Sequence, residues 1–381
     1  MRFWEGRINP AMPGFLNESR YAAGLALHFR ILGDIDSLRR SDSILLKVSH
    51  DYNNKEASVL LALASHCIAE HRFQEADSFL LAARRLGLKP YESLSASFDI
   101  DFELGRYNEA RLELNALRSS NDYGYFFRAS KVDHLNGSLD SAVLDMLRAA
   151  ERAETNDYLK GAALSGAADL YIHAGDFPRA NKNYMECIRT YGADLHSIMG
   201  LGWIALVHDH NDGLAERIFR FVSMKTKLPD PLFRLAEIPK RGADSNLQLS
   251  AAKEFEQKAT SVGYGRMYNK YLIQLYTGIL HDPARAEAVA KDELNNRATP
   301  QTYAWYAWAL FSNNKKDEAY KVFELHVSGQ PLESLELYYM GKLMMGLNKG
   351  YNAEEFFKAA CKTRYDLGPA IEEDLVRTTG N

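Results

Sequence analysis

The histidines beside carboxylates are the residues with the most chemical potential. The run His208-Asp209-His210-Asn211-Asp212 gathers residue types that suit a transition metal. Its two histidines lack the i, i+4 spacing of ligands on a helix, and the run reads as a turn between helices, where polar residues are expected. His66 and His71 are five apart, with no Glu in the His-Glu-x-x-His register. Cys67, Cys187 and Cys361 are far apart, form no Cys-x-x-Cys pair, and sit among small or apolar residues, so three buried free thiols are expected. There is no Gly-x-x-x-x-Gly-Lys-Ser/Thr phosphate loop and no Gly-x-Ser-x-Gly elbow. Gly263-Tyr264-Gly265 has no strand before it, and no two carboxylates stand out for acid–base work. The expectation is no catalytic residue, no metal, no cofactor, and a protein that is not an enzyme.

Two other sets of residues suit recognition. Asp99, Lys131 and Asp169 alternate in sign at one register of three consecutive segments, with Glu103, His134 and His173 about one helical turn further on. They fit a ladder of ion pairs between neighbouring helices, each worth under about 1 kcal/mol when exposed, or a polar strip that reads a charged peptide. Tyr268, Tyr271, Trp308 and Tyr338, with Gln301 and Lys342 among them, share an inward register further along. Rigid rings give large contact area at low entropy cost and anchor peptide interfaces. The competing expectation is packing between adjacent helices, as for Tyr303 and Tyr306.

Such registers need regularly spaced helices. A helical hairpin places small residues where its two helices cross and larger ones toward the next hairpin. In LSGAADLYIHAGDFPRANKNYMECI, Ala180 serves as an anchor: Ala168 lies twelve before it, Tyr171 nine before, Gly175 five before and Phe177 three before, with Tyr184 and Cys187 following at four and seven. Gly175-Asp176 makes the turn, since glycine takes positive φ cheaply. The frame recurs at Leu38, Ala76, Ala110, Ala142, Ala180, Ala215, Ala252, Ala286, Ala319 and Ala353, with separations from 32 to 38. Phe98 and Trp203 fill slots that are usually small, which predicts splayed crossings there. Pro239 falls within the expected first helix of the Ala252 copy, where a missing N–H forces a kink or break. Irregularity is expected at 229–246, with a change of superhelical pitch.

A period of about 34 resembles the tetratricopeptide repeat. The resemblance covers about residues 19–366 and implies an all-α, right-handed superhelical solenoid of about ten helix–turn–helix repeats. First helices would line a concave groove suited to an extended peptide or a helix of a partner. The phrase NRATPQTYAWYAWALFSNNKKDEAYK, with LGPAIEEDL, also resembles a group of exported bacterial repeat proteins. The expected organisation is a truncated helix or cap at 1–18, an N-terminal arm of about six repeats at 19–228, a C-terminal arm of about four at 229–366, and a cap and tail at 367–381. Phe3, Trp4 and Ile8 before Pro10 read as the second half of a helix, as though the chain begins partway through one.

Composition agrees with one continuous structure: 381 residues, 46% hydrophobic, 25% charged, and only 11 prolines, with no linker-like stretch. The net charge of −4 and the scattered basic residues show no concentrated basic face, so nucleic acid is not an expected partner. No run of 18 apolar residues is present, so no transmembrane segment is expected. The leading expectation is a scaffold for a protein or peptide partner. The alternative is a carbohydrate- or small-ligand-binding protein of the bacterial envelope, suggested by ring stacking and 21 tyrosines. A cytoplasmic location is the default for the chain as it stands, and the cell envelope if a leader has been trimmed.

Overall fold

The structure is a computed structural model that describes residues 1–9, 14–239, 246–261, 263–348 and 353–380. After the short α1 (Arg2–Glu5), ten consecutive helix pairs follow among the described residues, each packed as a hairpin. They are α2 (Phe15–Leu32) with α3 (Ile35–Asp51), α4 (Ala57–Ala69) with α5 (Phe73–Arg85), α6 (Pro90–Glu103) with α7 (Tyr107–Leu117), α8 (Tyr123–Leu135) with α9 (Leu139–Arg152), and α10 (Asp157–His173) with α11 (Phe177–Thr190). The later five are α12 (Leu195–Val207) with α13 (Asp212–Ser223), α14 (Asp230–Ala236) with α15 (Leu247–Ala259), α16 (Asn269–Thr277) with α17 (Pro283–Asn296), α18 (Pro300–Ser312) with α19 (Lys316–His326), and α20 (Ser334–Leu347) with α21 (Ala353–Ala360). Two 3-10 segments, Arg118–Ser120 and Cys361–Asp366, and α22 (Pro369–Thr379) complete the helices among the described residues. Among the described residues no helix is long and apolar enough to cross a membrane.

Local chemistry explains where these helices begin and end. Asp122, Asn156, Asp176, Asp194, Asn211, Asp282 and Thr299 each accept a hydrogen bond from a backbone N–H in the first turn of the helix they open, satisfying a donor that has no intrahelical partner. Pro283 and Pro300 sit at the first helical position, where no N–H is needed. At the turns inside hairpins the left-handed residue is Gly175 (φ 73°) in one and His210 (φ 52°) in another.

Every sequence anchor lies in the first turns of a second helix, and nine of the ten are at most 1% exposed; Ala353 is half-buried. Ala168 and Ala307, twelve before their anchors, are fully buried, and Gly341 lies where an added Cβ would come within 2.5 Å of Phe357. The splayed crossing expected at Trp203 is corrected. The close approach of α12 to α13 is made one residue earlier by Gly202, whose Cβ would lie 2.7 Å from Phe219 Cε1. Trp203 is thereby freed to face away from its partner helix, and its Nε1 donates to Tyr365 O. Phe98 is fully buried and stacks on Phe102 at 5.7 Å.

The break expected at Pro239 also takes a different form. Pro239 is not inside a helix: α14 ends at Ala236, and the Glu237 N–H closes the turn on Phe233 O and Arg234 O. The proline follows as a stop, leaving a first helix of only seven residues. Residues 240–245, Pro10 and Asn381 lie outside the described residues.

The chain divides into two units: unit 1 is Met1–Asn121, Lys225–Leu228 and Thr260–Met267, and unit 2 is Asp122–Met224, Pro229–Ala259 and Tyr268–Asn381. In unit 1, the two short returning segments fasten onto the first hairpin. Lys227 N donates to Leu32 O (2.9 Å), Lys227 Nζ reaches Asp34 (3.0 Å), and Tyr264 Oη donates to Lys227 O (2.8 Å). Burial opposes the Asp34 charge, but Lys227 outweighs it and holds the carboxyl below its usual range. Unit 2 contains the seven hairpins from α8 to α21 and the segment beyond them.

Candidate functional site

In unit 2 the first helices α10, α12 and α20 pack against the segment that follows α21. The Tyr365 ring meets Phe177 edge-on at 4.8 Å and lies over Gly175, where a Cβ would be 2.8 Å from Tyr365 Cε2. Trp203 Nε1 holds the Tyr365 carbonyl at 3.0 Å, and Asp366 accepts a hydrogen bond from His173 Nδ1. Gly368, at φ 78°, sits where a Cβ would be 2.9 Å from Glu237 and 3.4 Å from Trp203. The 365–368 stretch is thus read by side chains of α10 and α12, by Gly175 and Phe177 where α10 turns into α11, and by Glu237 just after α14, through both backbone and side-chain contacts.

Two cavities flank it. A polar one of about 240 Å³ is lined by Asp169, Tyr184, His196, Trp203, Arg234 and Asp366. Asp169 accepts from Tyr184 Oη (2.6 Å) and pairs with His196 Nε2 (2.9 Å); its charge lifts the His196 pKa to about 9. The Arg234 guanidinium lies 4.0 Å over the Trp203 ring and pairs with Glu237 at 2.7 Å. A predominantly apolar cavity of about 300 Å³ is lined by Phe233, Thr277, Trp308, Tyr339 and Ile371, among others. That volume is at the lower end for small-molecule pockets and admits one large side chain.

The residues expected to form an aromatic strip are gathered in unit 2, and most of them are engaged within it. Tyr268 is buried and donates to Asp230 (2.7 Å); Tyr271 packs on Phe233 at 4.6 Å. Trp308 and Tyr338 line the apolar cavity. Trp308 Nε1 donates to Thr277 Oγ1 (3.0 Å), and its indole is stacked on Tyr339 at 4.8 Å. Tyr338 Oη and Lys342 Nζ both bond Asp374 of α22, at 2.7 and 2.8 Å. Gln301 lies apart, with Nε2 3.5 Å from Pro331 O. Of the charged set, Asp169 enters the polar cavity, Asp99 belongs to unit 1, and Lys131 lies on α8 in unit 2. Tyr303 stacks on His326 at 3.8 Å.

Two clusters go beyond the sequence reading, which set His134 and His173 on one strip but gave no role to Glu333 or Glu113. His134 of α8 and His173 of α10 bring their Nε2 atoms to 3.4 Å, with Glu333, just before α20, 4.0 Å from His134 Nδ1. Burial lowers the His134 pKa. At His173 burial acts in the same direction, but the hydrogen bond and charge of Asp366 outweigh it and raise the pKa. In unit 1, Glu113 of α7 is raised to about 8, first by burial and then by the charge of Asp101 on α6. The run 208–212, by contrast, is the turn it was expected to be: His208 bonds Asp209 (2.7 Å), His210 takes the left-handed conformation, and Asn211 caps α13. Cys67 and Cys187 are buried free thiols pushed up to about 12 by burial, while Cys361 is only half-buried.

Among the described residues, ten helix hairpins, with anchors at a spacing of about 34 that are mostly small and buried, define an all-α helical-hairpin repeat protein. No family model matches the chain, and no curated protein matches it. Among solved structures, it is similar to a tetratricopeptide repeat protein from Parabacteroides merdae, with 16% identity over 77% of this chain and 99% of that one, at a TM-score of 0.32. It is also similar to yeast Tom70, with 11% identity over 96% of this chain and 95% of that one, at a TM-score of 0.36. Likeness at this level adds nothing to the helix pairing described above.

Proposed function

We propose that this chain is a non-catalytic protein–protein interaction scaffold, and that it takes a partner segment on the first-helix face of unit 2. The observation that carries the reading is the way this face already handles the 365–368 stretch. It supplies an indole N–H to a backbone carbonyl, a histidine to a carboxylate, and a glycine seat for an aromatic ring. These are contacts by which a helical-repeat groove recognises an extended peptide. The apolar cavity beside them, lined by Phe233 and Trp308, is the anchor for one large apolar side chain.

The sugar-binding alternative is less favoured by the geometry. Stacking on a sugar needs an uncovered ring face, and the Trp308 indole already stacks on Tyr339 at 4.8 Å and on Phe311 at 5.7 Å. A peptide array probed with the purified chain tests the scaffold reading. Captured peptides carry a large apolar residue near an acidic one, and the Trp308→Ala, Tyr271→Ala double variant loses them while keeping its helical circular dichroism. Undiminished capture by that variant, or capture only on a glycan array, refutes the reading.

A further inference from the structure

We propose that His134, His173 and Glu333 form a binding site for a divalent transition-metal ion of the zinc type, which clasps the first hairpin of unit 2 to the last. The ligand atoms come from α8, from α10 and from the residue that precedes α20, and all lie within 4.8 Å of one another.

The separation of the two imidazoles carries the argument. Their Nε2 atoms are 3.4 Å apart, with ring planes inclined at 71°. A hydrogen bond from N–H to nitrogen would be expected to draw them to about 3.0 Å. Two nitrogens bound tetrahedrally to one zinc ion, at about 2.0–2.1 Å each, stand about 3.3–3.4 Å apart. The gap between these rings matches the edge of a metal tetrahedron.

The surroundings fit the same site. Asp366 accepts a hydrogen bond from His173 Nδ1, which fixes the proton there and leaves the Nε2 lone pair directed at the shared point. A carboxylate behind a ligating histidine also strengthens the histidine as a donor. Glu333 stands at the N-cap position of α20 but its side chain makes no cap hydrogen bond, so the carboxylate is not committed to the helix. Closing from at most 4.8 Å to a tetrahedral edge moves it by no more than about 1.5 Å. Two imidazoles and one carboxylate leave a fourth position for water or for a carboxylate of an incoming partner, and this donor set suits Zn²⁺ and neighbouring divalent ions. The inference does not depend on the peptide-binding reading, because the ligands are engaged without any partner.

The test is titration of the full chain, stripped with a chelator, by Zn²⁺ alone against a chromophoric competitor, with Co²⁺ as a spectroscopic probe. The expected result is one equivalent bound at micromolar Kd or tighter, visible d–d bands of low-symmetry Co²⁺, and a rise in Tm with metal. His134→Ala and His173→Ala weaken binding at least 100-fold, and Glu333→Gln, at a partly exposed position that cannot disturb the core, weakens it at least 10-fold. His208→Ala leaves binding unchanged. Failure of the wild-type chain to bind Zn²⁺, or binding lost in His208→Ala and kept in Glu333→Gln and His134→Ala, overturns the proposal.

Discussion

Substituting Gly202 with alanine should destabilise unit 2, whereas the same change at Gly213 should not. Both glycines are helical, Gly202 in α12 and Gly213 in the first turn of α13. Alanine is favoured over glycine in a helix interior by up to about 1 kcal/mol, so propensity alone predicts that both variants gain stability. Packing separates them. At Gly202 the new Cβ meets Phe219 Cε1 at 2.7 Å and Ile218 Cγ2 at 2.9 Å, whereas carbon atoms prefer about 3.5–4.0 Å. The two helices, or the Phe219 ring, must give by nearly 1 Å, and that ring is fully buried with no route to solvent. Crowding of this kind costs about 1–3 kcal/mol, and the rigid ring puts this case at the upper end. After the propensity gain, the net loss is about 2 kcal/mol. At Gly213 the nearest atom to a Cβ is 3.7 Å away at the tip of Arg217, so only the gain remains. Urea denaturation followed at 222 nm reads both, as midpoints moving in opposite directions at unchanged slope. Adding Phe219→Leu to Gly202→Ala should recover part of the loss. If both single variants shift the midpoint upward, the proposed source of the α12–α13 contact is wrong.

Two predictions concern charge. Burial raises the Asp374 pKa, but hydrogen bonds from Lys342, Tyr338 and Arg377 bring it down to about 2, so the carboxylate contributes stability above about pH 4 that is lost as pH falls through about 2. A depression of nearly two units corresponds to about 2 kcal/mol, and Asp374→Asn at neutral pH should speed amide exchange across Pro369–Thr379 accordingly. Glu113 behaves in the opposite sense. With its folded pKa raised to about 8, folding takes up a proton, and stability declines as pH rises from about 4 through 8. Glu113→Gln should flatten Tm between pH 6 and 9 and overtake the wild type at the alkaline end; parallel profiles would contradict the assignment.

The hairpins were legible because their signal is local and repeated. Ala180 with Ala168, Gly175 and Phe177 is one pattern, and ten phased copies make it specific. Trp203 was misread because a single register assigns the small slot to one position, whereas Gly202 beside it makes the crossing. Pro239 was misplaced within a helix because periodicity locates a helix but not its last turn. The site was far less legible. Tyr338 and Lys342 were given a common face, and nothing in their spacing shows that Asp374 in α22 meets both. His134 and His173 are 39 residues apart, and Glu333 is 160 beyond His173. Only the packing of α8, α10 and α20 in unit 2 brings the three together.

Hydrogen–deuterium exchange of the full chain, with and without a peptide captured on the array, tests the proposed first-helix recognition face most directly. The account predicts that the peptide slows exchange in α10, α12, α14, α16 and α18 and leaves the second helices α11, α13, α15, α17 and α19 unchanged. Protection confined to the second helices, or to unit 1, would contradict it.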